Sequence, residues 1–340
     1  MEKTLLPFRD ATRQKISRID RQTLNAPNIE GAQVAMRLPK VGYLSRIWLY
    51  FEFATTQSAN PLVSLFPLAD LIAKVRLSLN SGRQVIVDAS GVDLVLLQNL
   101  RRQSPSYVNG IGANLPANTS SFSFLIIEVP VAFSSGQNFH LGLINLQAPE
   151  LEAVLEVQFQ PNFSNWQQDI RVDSVTVEAH YEHYEAPDPR IAMQPPVALV
   201  KTLSETRSNV TGFTEYTLPR GGILLQYLEH SRNVAFPYPP SLSNFSRIVL
   251  NKTQTLYDIR FPLTNWFSET ETGKIWSFLS DQPAVIWYDF IDSYGYVGDG
   301  DLRDALDTEE ITTIDFQSEY ATSTVNLSYV RRILQVPVAS

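Results

Sequence analysis

Apolar and polar residues alternate with a period of two over much of this chain, the pattern of strands with one buried face. In residues 72–79, Ile72, Lys74, Arg76 and Ser78 fall on one face and Ala73, Val75, Leu77 and Leu79 on the other. Asn80-Ser81-Gly82 then turns the chain into Val85-Ile86-Val87, which predicts a hairpin. In residues 172–184, Val175, Val177, Ala179 and Tyr181 face one way, with Thr176, Glu178, His180 and Glu182 opposite. Strands are also predicted at 47–53, in a pair broken by Pro130 over 122–133, and at 151–159, 223–236, 285–291, 311–317 and 322–334, with a second hairpin over 246–259. Helical signals are few. Residues 92–102 read as a helix that Gly91 precedes, with Arg101 and Arg102 at its negative C-terminal end. Residues 8–21 read as a short basic amphipathic helix with Pro7 in its first turn, and residues 301–306 as one or two helical turns.

Parts of this pattern occur twice. Leu38-Pro39-Lys40-Val41-Gly42, leading into a β-rich run, returns 180 residues later as Leu218-Pro219-Arg220-Gly221-Gly222. The proline ends what precedes it, and the glycine permits a tight bend. Arg76-Leu77-Ser78-Leu79-Asn80 is answered by Arg247-Ile248-Val249-Leu250-Asn251, and in each copy a short strand ending in Asp88 or Asp258 follows. Val177-Glu178-Ala179-His180-Tyr181 is answered by Val325-Asn326-Leu327-Ser328-Tyr329. Three pairs in one order predict a duplicated domain whose second copy has shorter loops. About eight short strands per half, with turns every ~8–12 residues, describe a sandwich or barrel. The fold class is therefore all-β: two tandem eight-stranded jelly rolls with short helices in loops. The expected divisions are a basic arm at 1–22, a first roll at 23–186, a Pro-rich linker at 187–199 and a second roll at 200–340.

Composition agrees with two cores. The 340 residues are 44% hydrophobic and 18% charged, and 18 Phe, 14 Tyr and 5 Trp favour strands. The absence of cysteine excludes disulfides and thiolate chemistry. No run of about 18 apolar residues is present, and the N-terminus lacks the apolar core of a signal peptide. A net charge of −8 argues against a surface made for sequence-specific nucleic-acid binding. That charge is uneven. Residues 1–21 hold six basic and three acidic side chains, which suits contact with an anionic membrane surface or a neighbouring subunit.

The chemistry-bearing residues do not assemble into a catalytic motif. His180 and His183 are three apart in a strand and point to opposite faces, while His140 and His230 stand elsewhere. Asp299, Asp301, Asp304 and Asp307 form the one dense acidic cluster, but its spacing does not fit an EF-hand. Calcium ligation and a simple helix cap at Asp301 are its two readings. Glu150 and Glu152 flank Leu151 in a predicted strand and share a face, as a glycosidase pair would. Six Asn-x-Ser/Thr triplets, from Asn118 to Asn326, carry little weight without a signal peptide. No phosphate-binding glycine loop and no Gly-x-Ser-x-Gly elbow is present. The residues therefore assign no catalytic, cofactor-binding or metal site.

The segments Phe124-Leu125-Ile126-Ile127-Glu128-Val129-Pro130, Leu141-Gly142-Leu143-Ile144-Asn145-Leu146 and 151–159 resemble the late strands of the first roll in double-jelly-roll major capsid proteins. That lineage includes tailless membrane-containing bacteriophages, adenovirus hexon and large DNA viruses. Leu302-Arg303-Asp304-Ala305-Leu306-Asp307 and the strands to Leu334 are similar to the way phage members close the second roll. The resemblance implies a structural protein and not an enzyme. Its homotrimers would have a pseudo-hexagonal outline and tile an icosahedral virion assembled in the host cytoplasm. The implied partners are copies of itself, penton and minor capsid proteins, and an internal membrane or an adjacent capsomer through residues 1–21. Loops at 54–67 and 104–121 would form the crown or clasp neighbours, with Tyr107, Trp166 and Tyr238 buried between subunits. A tandem jelly roll that binds or hydrolyses glycans is the alternative. It would show exposed aromatics on a concave face and a cleft with paired carboxylates.

Overall fold

Nineteen strands and two helices make up the described part of a computed structural model of the chain, which covers residues 14–57, 67–102, 108–109, 120–135, 139–163, 170–185, 198–233, 243–260, 285–291 and 305–335. In order these are β1 (Gln14–Asn25), β2 (Gln33–Arg37), β3 (Tyr43–Gln57), α1 (Pro67–Asp70), β4 (Ile72–Leu79), β5 (Gln84–Ala89) and α2 (Gly91–Arg102). Then come β6 (Val108–Asn109), β7 (Ser120–Pro130), β8 (Phe133–Ser135), β9 (Phe139–Leu141), β10 (Ile144–Asn145), β11 (Ala153–Phe159) and β12 (Ile170–Tyr184). The remainder are β13 (Leu199–Thr217), β14 (Ile223–Asn233), β15 (Ser243–Leu250), β16 (Gln254–Arg260), β17 (Val285–Asp289), β18 (Leu306–Asp307) and β19 (Ile314–Gln335). Two units divide the chain: residues 1–99 with 104–200, and residues 100–103 with 201–340.

In the first unit one sheet has the order β1-β12-β3-β7 and the other β2-β11-β4-β5, with β6 beyond β7. An eight-stranded jelly roll lettered B to I in chain order has sheets B-I-D-G and C-H-E-F. β1, β2, β3, β4, β5, β7, β11 and β12 fill those eight places in sequence. The two inner faces supply the core. Phe51, Phe53, Val75, Leu77, Ile127, Leu155, Val175 and Val177 are all buried. Ile72, expected on the polar face, is buried too, because a bulge between Gln158 and Phe159 of β11 changes the parity where it meets β4.

The second unit has the same order with two strands fused. β14, β15, β16 and β17 are D, E, F and G, and β14 pairs with β17, and β15 with β16. β19 is H and I in one piece: Ile314–Tyr320 pairs with β15, and Val325–Leu334 with β14. The closing strands expected as two are therefore continuous. β13 serves as B and C. Its first half reaches β19 where Ser204 Oγ meets Ser328 Oγ at 3.2 Å, and its end where Thr217 donates to Asp315 at 2.6 Å. Tyr216, Tyr227, Tyr288, Phe316, Tyr320 and Tyr329 fill the core between.

Residues 14–21 differ from expectation. They form part of strand β1, paired along its length with β12, and not a helix. Pairing with a neighbouring strand outweighs a local helical pattern of weak propensity. The helix expected at 92–102 is α2. Ser90 caps it: its hydroxyl accepts the Asp93 N–H at 3.2 Å, and the Asp93 carboxylate accepts the Ser90 N–H at 3.0 Å. Leu306 and Asp307 lie in β18 and not in a helical turn.

Candidate functional site

The repeated Leu-Pro-basic-Gly stretch is a corner, built the same way in both units. It joins strand C to strand D. The N–H of Leu38 donates to the Ala153 carbonyl at 3.0 Å, and that of Leu218 to the Ile314 carbonyl at 2.8 Å, in each case the first residue of strand H. The basic residue reaches across to the loop before H. Lys40 Nζ donates to the Pro149 carbonyl at 2.6 Å, and Arg220 Nη2 to the Glu309 carbonyl at 2.6 Å. Gly42 accepts from the Leu146 N–H and Gly222 from the Thr308 N–H, both at 3.0 Å. Both glycines have positive φ, 73° and 117°. Both lie against the end of strand I, where a Cβ on Gly42 would come 2.7 Å from the Tyr184 carbonyl oxygen and one on Gly222 2.5 Å from that of Leu334.

The E–F turns match as well. Asn80 and Asn251 open them in left-handed conformation, at φ 55° and 52°. Each Asn ties the turn to the start of strand H: the Asn80 N–H donates to the Glu152 carbonyl at 2.7 Å, and the Asn251 N–H to the Thr313 carbonyl at 2.9 Å. Arg76 stands opposite Asp88 and Arg247 opposite Asp258. Even the bulges recur, since the D–I register slips between Leu44 and Arg46 in one unit and between Leu224 and Gln226 in the other. That register corrects the third sequence pair. Tyr181 faces Ile47 and Arg331 faces Tyr227, so Tyr181 answers Arg331, two residues beyond Tyr329.

No protein-family model and no curated protein sequence matches this chain. Solved structures do. The major capsid protein of Sulfolobus turreted icosahedral virus aligns with 96% of this chain and 97% of its own, at a TM-score of 0.73 and 12% identity. PBCV-1 VP54 aligns with 98% of each chain, at 0.66 and 14%. The major capsid protein P2 of bacteriophage PM2 aligns with 94% of this chain and 99% of its own, at 0.55 and 13%. This chain has the double-jelly-roll capsid fold.

Within that double jelly roll, the candidate chemical residues occupy structural positions. Glu150 lies in a turn and Glu152 in the irregular stretch just before β11, and not in a strand as expected. They line a groove of about 400 Å³ with Arg37, Lys40 and Pro149 at the C–D corner. Glu152 lies 3.4 Å from Arg37 Nε. His180 faces outward and meets Glu178 at 2.8 Å, while His183 is buried and stacks on Tyr181 at 4.5 Å. The two rings thus lie on opposite faces, as their spacing predicts. Burial holds the His183 imidazole below its ordinary value. His140 stands in β9, and His230 is buried in β14. Among the described residues no cluster of three His, Cys, Asp or Glu side chains could hold a metal ion, and no helix is long and apolar enough to cross a membrane. Residues 1–13, Tyr107, Trp166, Tyr238, the linker at 187–197, and Asp299, Asp301 and Asp304 lie outside the described residues.

The outer faces and sheet edges hold features that sequence reading missed. On the outer face of the B-I-D-G sheet of the first unit, Tyr50 stacks on Phe124 at 5.7 Å and Phe122 is 63% exposed. Arg46 on that face lies 2.9 Å from Glu182 and 3.8 Å from Glu128, both nearly buried. In the second unit the same register position is Gln226. It accepts from Arg332 at 3.4 Å and donates to Asp289 at 3.2 Å. On the outer C-H-E-F face of that unit, the exposed ring of Phe213 lies 6.3 Å from Phe245, over which Arg247 sits at 5.5 Å. Among the described residues β1 and β16 each end a sheet. Alternating strand patterns alone do not reveal which strand of a sheet lies outermost.

Proposed function

We propose that this protein is a structural major capsid protein and not an enzyme. The observation that carries this reading is the duplication: one strand order, one corner and one turn geometry occur twice in a chain that aligns end to end with viral capsid proteins. A chain with two like rolls that associates in threes presents six like rolls, a pseudo-hexagonal outline suited to tiling an icosahedral shell. The partly buried Arg46–Glu182 pair and the buried Gln226–Arg332 pair serve packing, and no catalytic, cofactor or metal residue is assigned. Penton and minor capsid proteins would complete the shell in the host cytoplasm. The basic residues 1–21 would face an internal membrane or the next capsomer, and contact with the genome would be indirect.

Light scattering on the purified protein tests the central claim. A stable species of about three times 38.3 kDa is the expected result. A monomer at micromolar concentration would contradict it. Flotation with anionic vesicles, before and after removal of residues 1–13, tests the membrane contact.

A further inference from the structure

β1 is built in two pieces. Gln14–Arg18 faces the stretch from His180 to Tyr184 of β12, and Asp20–Asn25 faces the stretch from Ser174 to Ala179, with a register shift between Arg18 and Asp20. A bulge of this kind interrupts the ladder and lets the strand bend. Among the described residues β12 is the one strand that pairs with the first piece, and Lys15, Ile16 and Arg18 on it are exposed.

Beside this piece lies a buried imidazole. His183 is 2% exposed and stands opposite Lys15. Its ring stacks on Tyr181 at 4.5 Å, and its Cδ2 lies where a Cβ on Gly42 would come within 2.7 Å. Its Nδ1 has no hydrogen-bond partner among the described residues. Two charges act on the ring, Lys15 from β1 and Glu185 from the end of β12, and they are bonded to each other at 2.6 Å. β3 places Leu44 opposite His183, and burial pushes the Tyr43, Tyr181 and Tyr184 hydroxyls up, which keeps them neutral. The other charged groups of this region lie on the outer face of the sheet, where Arg46 meets Glu182 at 2.9 Å and His180 meets Glu178 at 2.8 Å. A neutral His183 suits this setting. An imidazolium would be cut off from water next to the Lys15 ammonium, with the Glu185 carboxylate already engaged.

We propose that His183 is an acid-sensitive latch: Gln14–Arg18 lies on β12 near neutral pH and detaches in mild acid, turning at the break before Asp20 while Asp20–Asn25 stays paired. Detachment takes Lys15 away from the ring, admits water and leaves Glu185 to pair with the imidazolium. The detached piece continues the basic run of residues 1–21, so acid would bring more positive charge out from the first unit. The latch goes beyond the capsid reading and does not depend on it.

The sign follows from the surroundings of the ring. Burial has the largest effect and holds His183 below its usual 6.5, while a backbone hydrogen bond at Tyr181 and the Glu185 charge pull it partly back, and Lys15 lowers it further. A depressed imidazole disfavours the closed strand only once the pH falls below the ordinary value. The ratio of open to closed strand then rises by up to about tenfold per pH unit, until the folded-state value is reached.

The cysteine-free sequence allows a single nitroxide label to report on each piece. Full-length Ile16→Cys and Thr23→Cys proteins are labelled, and their electron paramagnetic resonance spectra are followed from about pH 7.5 to about pH 5, above the range in which Glu185 takes a proton. The expected result is a mobile fraction at position 16 that rises several-fold in acid and falls again on return, with position 23 unchanged. In the Ile16→Cys background, His183→Phe keeps a stacked ring that cannot take a proton, and is expected to abolish the rise. His180→Gln removes the outward histidine opposite Arg18, and is expected to leave the rise intact. A label at position 16 with equal mobility at both ends of the range, or a rise shared by position 23, overturns the latch. So does a rise that survives His183→Phe or vanishes with His180→Gln. Should His183→Phe fail to fold, unlabelled wild-type and His180→Gln proteins decide. Amide exchange over residues 14–18, corrected for its intrinsic pH dependence, must accelerate several-fold in acid relative to residues 20–25 in both proteins, and the latch is overturned if it does not in either.

Discussion

At Gly222 a methyl group would meet the Leu334 carbonyl oxygen at 2.5 Å, and at Gly42 it would meet that of Tyr184 at 2.7 Å. Backbone cannot yield as a flexible side chain can, and both φ values are positive. Gly222→Ala is therefore expected to cost at least about 2 kcal/mol, read as a lower urea midpoint of the second unit. Buried charge follows a different logic. Glu229 is buried in the core of the second unit, where it accepts hydrogen bonds from Ser318 at 2.6 Å, from Tyr227 at 3.0 Å and from Tyr320. Burial raises its pKa above the ordinary 4.5, and the three hydroxyl donors pull it partly back. A raised carboxyl pKa contributes stability that is fully present below the ordinary value and is lost as pH rises through the folded-state value. Glu229→Gln should remove that slope. Relative to wild type, its denaturation midpoint is expected to rise as pH climbs above about 4.5, and parallel profiles for the two proteins would refute this. Burial also pushes the Tyr216 and Tyr329 hydroxyls up to about 12, which keeps both neutral at any ordinary pH.

At the level of elements, strands C to F and H of the two units are joined by the same contacts, and the E–F turns show what may vary. Ser81 and Lys252 both hold left-handed φ, at 57° and 61°. A non-glycine residue pays roughly 1–2 kcal/mol there, which glycine removes at some cost in chain entropy. Ser81→Gly is expected to stabilise the first unit by about 0.5 kcal/mol in denaturant titrations. Lys252→Gly should do the reverse although its backbone strain is the same. Lys252 Nζ lies 2.9 Å from the fully buried carboxylate of Asp315, which would lose its cationic partner. Equal effects of the two substitutions would show that the Lys252–Asp315 contact does not set them apart. That Arg76 faces Asp88 and Arg247 faces Asp258 came from the register, but the E–F hairpins were legible in the sequence, because turn chemistry leaves a local signature. β1 was not. Its segment reads as a basic amphipathic helix, and only β12 beside it makes it a strand.

For the whole molecule, the +3 of residues 1–21 and the −6 of residues 201–340 bear on assembly more than on folding. If opposite fields help to join copies, the proposed self-association should weaken as salt rises from about 0.1 to 1 M, over which the Debye length falls from about 10 to 3 Å. Sedimentation across that range measures it. Strengthening with salt would mark self-association held by apolar burial alone. The two β units, their hairpin turns and most of their apolar faces follow from the sequence alone, because period-two patterning and turn residues act over a few neighbours. The sequence also marked the duplication, through the Leu-Pro corner and the Arg-to-Asn strand. Long-range packing set the rest: which strands sit side by side, that B with C and H with I run continuously in the second unit, and that the third repeat is offset by two residues. It also decided that, among the described residues, β1 and β16 end their sheets. Strand order joins residues more than a hundred positions apart, and no local pattern encodes what lies on the far side of an outermost strand.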